Sequence, residues 1–408
     1  MNRKRPFYLL AALLSLPGLC APQTKLSLPE AVNYALSHRP ELRADDDRVN
    51  SAEHVQSQAK LIPNPHFLFR KEDLRPETSP FGENSQTYWE GEQLVEISGK
   101  RGGRIDVADQ SLKGRRLQLE LDRRQIALGV RESYWRARAV QALASLYQED
   151  ANYFAQIVDY HEARFREGKI AEVDLLRVRL QGQLIKAAAA SARLDFEKAL
   201  LVLAREMNAA PDSRWVLSDD LETLEIPQVI PAGPSAADLR SEARLAEQAM
   251  EQAKAQTKLE RANGRPDLLF TGGYKRDVQM DSPIAGVQFD LPLFNRNQGA
   301  VAAAKANEDA AAQSLLATRN RLAAELTLAQ REYEMRRDQY VQMFKPLRDQ
   351  AVQISEISRS AYQAGGLDLL RLLDAERARV DAELSYVRAL EAFHISVVDL
   401  NYAEGMDQ

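Results

Sequence analysis

The chain has 408 residues, 45% hydrophobic and 28% charged, with a net charge of −5. Charges of both signs are mixed along it, so no basic block marks a nucleic-acid surface and no acidic tail marks a disordered activator. A single cysteine, Cys20, excludes an internal disulfide, and five scattered histidines show no metal-ligand spacing.

The first segment, MNRKRPFYLLAALLSLPGLCAPQ, sets Arg3, Lys4 and Arg5 before an apolar run from Phe7 to Leu16. Small and turn-forming residues follow, which is the layout of a cleaved export signal over residues 1–21. Cys20 is a candidate for lipidation, although Leu19 is larger than the small residue usual before such a cysteine. Beyond this segment no run of about 18 apolar residues occurs, so no spanning helix is expected.

The mature chain opens on LSLPEAV, where Ser27 and Glu30 have capping-box spacing and Pro29 sits in the first turn. A helix is expected from there to about Leu61, stopping before Pro63-Asn64-Pro65. Prolines 63, 65, 76 and 80 cluster, and none then occurs until Pro211. Since proline breaks helix interiors, that gap suits long helices. Residues 103–166 keep an apolar seam through Val130, Tyr134, Ala137, Phe154, His161 and Phe165 at heptad-like spacing. At about 1.5 Å per residue this helix is roughly 95 Å long. A second helix returns over 172–207. No globular core is this long, so an extended helical bundle is expected.

The plan then recurs. A proline-rich linker over 208–235 leads to a helix over about 236–261, and another runs from Gly299 to Ala364 through Leu322, Leu326, Tyr333, Tyr340, Met343, Leu347, Ile354 and Ile357. Pro346 is expected to kink it. A last helix covers about 367–402. ARFREGKIAEVDLLRVR at 163–179 aligns without gaps on SAYQAGGLDLLRLLDAE at 360–376, pairing Gly168 with Gly365. The chain therefore reads as a tandem repeat. The first unit covers 22–207, with a strand pair in 64–98 and a hairpin tip near 168. The second covers 236–403, with a strand pair in 266–293 and a tip near 365, and a tail comes last over 404–408.

Between the first two helices of each unit lie short alternating segments. In TYWEGEQLVEI, Trp89, Gly91, Val95 and Ile97 share one face, and Glu90, Glu92 and Glu96 the other. In IAGVQFDL, Ala285, Val287, Phe289 and Leu291 oppose Gly286, Gln288 and Asp290. Periodicity alone serves a membrane strand and a surface hairpin capping a coiled coil equally well. If these strands lie in lipid, their edges cannot stay unpaired. Four strands cannot close a barrel, so copies must pool them, as a dimer of eight or a trimer of twelve.

LSLPEAVNYALSHRPEL, the corners VEISGKRGGRIDVAD and FDLPLFNRNQGAVAAAKA, and the turns FREGKIAEVDLL and YQAGGLDLLRLLDAERAR resemble the TolC-type outer-membrane efflux proteins over residues 26–403. Gly99-Lys100-Arg101 is most like the cobalt–zinc–cadmium or heavy-metal branch. The resemblance implies a mainly α protomer of long coiled-coil helices plus four β-strands. Trimers of it would form a 12-stranded outer-membrane barrel and a periplasmic helical tunnel. It implies a channel rather than an enzyme, with no cofactor. Its partners would be two further copies, a periplasmic adaptor, an inner-membrane resistance–nodulation–division pump and outer-membrane lipid.

Carried over position by position, Gly168 and Gly365 match the tip glycines. Asp374 matches an acidic constricting position, against the alternative of a solvated helix residue. Arg371 stands where the family has a second acid, which suggests an Arg371–Asp374 ion pair. Asp174, at the aligned position in the first unit, is the remaining tip residue. Gly99, Lys100, Arg101, Pro292, Phe294 and Asn295 mark the strand–helix corners, and Glu90, Glu92, Glu96 and Asp290 would line the lumen. A drug, organic-solute or type I secretion duct of the same fold is the nearest alternative, and a periplasmic adaptor or structural coiled coil a remoter one. GGYK and SGKRGGR lack P-loop spacing and read as corner glycines.

Overall fold

A computed structural model describes residues 24–72, 85–211, 215–223, 238, 240–277 and 280–406. The expected export signal with Cys20, and most of the expected proline-rich linker, lie outside these residues.

The chain begins with a short strand β1 (Thr24–Leu26) and helix α1 (Leu28–His38). The Ser27 backbone N–H donates to Glu30 Oε2 at 2.8 Å, closing the expected N-terminal cap. The single helix expected to Leu61 is in fact two. Pro40 cannot donate an N–H and pushes the residue before it out of the helical region. Arg39 is accordingly extended (φ −70°, ψ 122°), and α2 (Pro40–Ala59) starts afresh on that proline. Strands β2 (His66–Glu72) and β3 (Gln86–Val95) come next, then α3 (Lys100–Arg166), α4 (Glu172–Met207) and β4 (Trp215–Leu217).

The second half carries α5 (Ser241–Asn263), β5 (Leu268–Arg276), β6 (Asp281–Gln288) and α6 (Gln298–Asp338). A π-helical stretch (Gln339–Phe344) joins α6 to α7 (Lys345–Gln363), and α8 (Leu369–Glu404) ends the described chain. The π turn is how the helix accepts Pro346. It widens the backbone in the turn before the ring, where an ordinary carbonyl would clash. The extra residue also rotates the downstream turns about the helix axis. Leu322, Leu326, Tyr333 and Tyr340 are buried as expected, but Met343, Leu347, Ile354 and Ile357 are exposed. Ala351 and Ser355 take the inward face instead.

The sheet order is β2-β3-β5-β6, antiparallel throughout. Helices α2, α3, α5 and α6 continue below in the same lateral order, each packed on the next. The four expected strands are present. The parallel pair β1–β4, with Thr24 opposite Trp215, was not foreseen. It packs on α3, where the Tyr134 hydroxyl donates to the Leu26 carbonyl at 2.9 Å. Leu26, Val130, Tyr134, Leu203, Met207 and Leu217 form the core at this level.

The halves match in detail. Arg39 caps α2 and Arg240 caps α5, both extended. Helices α4 and α8 each end on a left-handed residue, Asn208 and Gly405. Among the described residues no helix is long and apolar enough to cross a membrane.

Candidate functional site

Three regions bring the singled-out residues together: the sheet, the strand–helix corners and the hairpin tips. The pairing registers fix which side chains share a face of the sheet. One face carries Phe67, Phe69, Trp89, Val95, Phe270, Tyr274 and Val287, all exposed. Phe69, Trp89 and Tyr274 run across three strands with ring centroids 6.0 and 6.2 Å apart. Monomeric soluble proteins rarely expose an apolar face this open, and where it occurs it marks a protein or membrane contact.

The opposite face holds the charges, Arg70, Glu90, Glu92 and Lys275, with Tyr88 and Thr271, beside Leu68, Leu94, Leu269 and Ile284. Glu90 is only 9% exposed and lies 3.5 Å from the Arg70 guanidinium. Glu92 is half-buried on the same face, and Asp290 is exposed just past the end of β6. Glu96 lies beyond β3 in the corner, where Arg104 grips its carboxylate at 2.6 Å and holds it below the usual carboxylate range.

At the first corner Gly99 is left-handed (φ 77°), a conformation that favours glycine, and caps α3. Lys100 pairs with Asp267 at 2.7 Å, and Arg101 donates to the Lys60 carbonyl at 2.6 Å. These contacts tie the corner to the turns before β5 and β2. At the second corner the left-handed cap is Asn297 (φ 60°), whose amide holds Glu260 at 2.7 Å. Asn295 Oδ1 accepts from the Asn297 N–H at 3.0 Å. Pro292 precedes this turn, and Phe294 beside it is 92% exposed.

Each tip closes the same way. Gly168 (φ 70°) and Gly365 (φ 76°) are left-handed, and the next residue's N–H reaches back five residues: Lys169 to Arg164, Gly366 to Ala361. The expected Arg371–Asp374 pair is not formed. Asp368 caps α8 by accepting from the Arg371 N–H at 3.0 Å, and its carboxylate draws the Arg371 guanidinium to 3.5 Å. A side chain on the cap lies closer to the first turn than Asp374, one turn deeper. Asp374 is exposed, without an ion pair among the described residues. Asp174 lies 3.9 Å from Arg177. The repeat alignment sets Asp174 on Arg371 and Arg177 on Asp374, so the charge order is reversed between the two tips.

Above the tips lie contacts that sequence reasoning missed. Buried His161 sets one ring nitrogen 2.7 Å from the Tyr362 hydroxyl and the other 2.7 Å from the Ile157 carbonyl, joining the lower ends of α3 and α7. Higher up, Arg379 meets Asp150, Glu376 at 3.2 Å and Glu383 at 2.9 Å. Arg359 also grips Glu376 at 2.6 Å and lies 3.9 Å over the Tyr153 ring. Burial raises the Asp150 carboxyl despite Arg379. Burial also opposes the charge on Glu376, but Arg359, Ser355 and Arg379 together lower the carboxyl. The signal was present: Leu372, Glu376, Arg379, Glu383, Tyr386 and Leu390 alternate spacings of four and three, so three charges occupy seam positions.

Further up α8, burial first and then the Glu132 and Glu332 charges push the Asp399 carboxyl up to about 6, against Arg136. Its folded value lies above that of the unfolded chain, so folding takes up a proton between about pH 6 and pH 4. Stability from this group therefore rises as pH falls through that window. Asp399→Asn is expected to raise unfolding stability by about 2 kcal/mol at pH 7.5 and to change little near pH 4. Denaturant titrations at the two pH values check this, and an equal effect at both counts against it.

Among the described residues no group of three or more His, Cys, Asp or Glu side chains is placed to hold a metal ion. Residues 31–209 and 235–405 match the outer membrane efflux protein family. The chain is 27% identical over 374 residues to the cobalt-zinc-cadmium resistance protein CzcC of Cupriavidus metallidurans, covering 90% of this chain and 86% of that one. It is 26% identical over 316 residues to the nickel-cobalt-cadmium resistance protein NccC of Alcaligenes xylosoxydans xylosoxydans, covering 77% and 69%. The fold superposes on a crystal structure of CusC with a TM-score of 0.75 at 16% identity, covering 99% of this chain and 98% of that one.

Proposed function

The chain belongs to the outer membrane efflux protein family and is an outer-membrane efflux channel, and on that footing we propose that it is the exit duct of a tripartite system exporting heavy-metal cations. Three copies pool their strands into a 12-stranded barrel and their helices into a periplasmic tunnel. Each protomer is a tandem repeat of 22–207 and 236–403. Transport is passive, with energy from an inner-membrane resistance–nodulation–division pump coupled through a periplasmic adaptor.

The observation that carries this reading is the sheet itself. It exposes an aromatic face on one side and a charge-bearing face on the other, and among the described residues its outer strands β2 and β6 each pair on one side only. In hydrocarbon each unpaired backbone group costs several kcal/mol, so such a sheet is stable only when closed by other copies. The metal preference draws on the relatives named for cobalt, zinc, cadmium and nickel resistance, and on the acids Glu90, Glu92 and Asp290 on the lumen side. At the tips, Gly168 and Gly365 shape the closed end. Asp174, Arg371 and Asp374 set its charge, with Asp374 free to face the axis.

Deletion of the gene is expected to sensitise its host to cobalt, zinc or cadmium and to raise cell-associated metal, with plasmid-borne protein restoring both. Sensitivity confined to drugs or organic solutes would move the substrate to that class. A monomer recovered only from the soluble periplasmic fraction would overturn the channel.

A further inference from the structure

We propose that neighbouring copies join through β6 and β2 in one defined register, which sets Leu291 opposite Phe69 and Asp290 opposite Arg70 of the next copy. The inference rests on the trimeric reading above and specifies its seam.

The template is the junction inside the chain. Where the first half meets the second, Val95 of β3 lies opposite Leu268 of β5. Just below, Ser98 Oγ donates to the Pro266 carbonyl at 3.2 Å and Lys100 pairs with Asp267. A shift of 201 residues carries Pro65 onto Pro266, and a shift of 198 carries Gly99 onto Asn297, the two left-handed helix caps. The two shifts check each other. Applied to His66 opposite Glu92 in the first hairpin, they give position 267 opposite position 290. That is where the second hairpin's register, Leu269 opposite Gln288, arrives two residues further on. The hairpins are thus the same object, and β6 stands to the next copy's β2 as β3 stands to β5.

Carrying the β3–β5 register through these shifts places position 293 opposite position 67, and hence Leu291 opposite Phe69 and Asp290 opposite Arg70. Two features not used to obtain this alignment agree with it. Phe67, Phe69 and Val287 already share the apolar face, and the sequence alternation carries it past the end of β6 to Leu291, so the lipid side stays apolar across the seam. A slip of one residue would mix the faces. Charge then separates the registers that keep the faces intact. Sliding by two in one direction sets Asp290 against Leu68, and in the other against Glu72. Only the proposed register gives it a cation. Arg70 is half exposed, 3.2 Å from Glu72 and 3.5 Å from Glu90, on the side a neighbour must cover.

The test is disulfide formation in the full-length protein in outer membranes. Leu291→Cys with Phe69→Cys is expected to give reductant-reversible linked dimers and trimers. Leu291→Cys with Phe67→Cys, two residues out of register, should give several-fold less. Each single substitution controls for Cys20. Unheated trimers that stay unlinked in both variants, or that link better in the second, overturn the register. Absence of a trimer in the parent protein overturns the trimeric reading and the seam with it. As a second measurement, Arg70→Asp is expected to lower the temperature at which the trimer dissociates, and adding Asp290→Arg to restore it. An unchanged dissociation temperature, or no restoration, removes the Arg70–Asp290 contact.

Discussion

Arg379→Met is expected to destabilise the lower bundle by about 3–5 kcal/mol, because it leaves buried acids without their counter-charge. Asp150 and Glu376 are 4% and 1% exposed, and neither can reach water when Arg379 is lost. Arg359 still holds Glu376, so the heavier loss falls on Asp150, whose partner is Arg379. Asp150→Asn in the same chain is therefore expected to recover part of the loss. Glu383→Gln at the more open rim should cost less than about 1 kcal/mol. Denaturation of the purified protein followed by helical circular dichroism measures all three. An Arg379→Met midpoint close to that of the parent would show that the cluster contributes little. The position matters for function because the cluster ties α3 to α7 and α8 about three turns above the tip. Loosening it is expected to raise the conductance of the resting channel.

Phe270→Arg and Thr271→Arg are neighbours on β5 with opposite expected outcomes. Phe270 lies on the apolar face, beside Gln93 on β3 and Val287 on β6. An arginine facing lipid costs about 2–4 kcal/mol at the midplane and less towards an interface; at Phe270, the third residue of β5, part of that cost is incurred in every copy of the assembly. Phe270→Arg should therefore remove the protein from the outer-membrane fraction. Thr271 faces the other way, opposite Glu92. An arginine there gains a counter-charge, so Thr271→Arg should assemble at the parent level and weaken cation over anion selectivity. Trimer yield from membrane fractions decides between the faces. Equal yields for the two variants would mean that the sheet does not sit in lipid.

The long helices were legible because a heptad-like seam recurs over many turns, and α4 runs over the expected residues. The tip turns were legible because a left-handed position favours glycine and the chain shows one twice at the same offset. What escaped depends on contacts far apart in sequence or on local backbone choices with two outcomes. Pro40 could equally have been a kink or the first residue of a new helix, and only the packing of α1 on the α3–α4 core chooses the second. Pro346 announced a disturbance, but not that a widened turn would absorb it and turn Met343, Leu347, Ile354 and Ile357 outward. The β1–β4 pair joins residues nearly two hundred apart, with three positions in each strand, too few for periodicity to show. The partner of Arg371 was misjudged because helical spacing favoured Asp374, whereas the capping residue Asp368 lies nearer.

The matching lateral order of strands and helices has a mechanical consequence. Strands stand about 4.8 Å apart, or roughly 6–7 Å along the rim of a tilted barrel, whereas packed helices need about 8–10 Å. In the proposed trimer, twelve of each, joined one to one, would give rims of roughly 75 and 110 Å. The corners therefore act as a reducing collar between two pipes of unequal gauge, and every strand must splay as it becomes a helix. That explains why charge pairs and left-handed residues gather there. Lys100–Asp267, Arg104–Glu96 and Asn297–Glu260 hold the flare at a fixed angle, so movement at the distant end of the tunnel need not spread into the membrane.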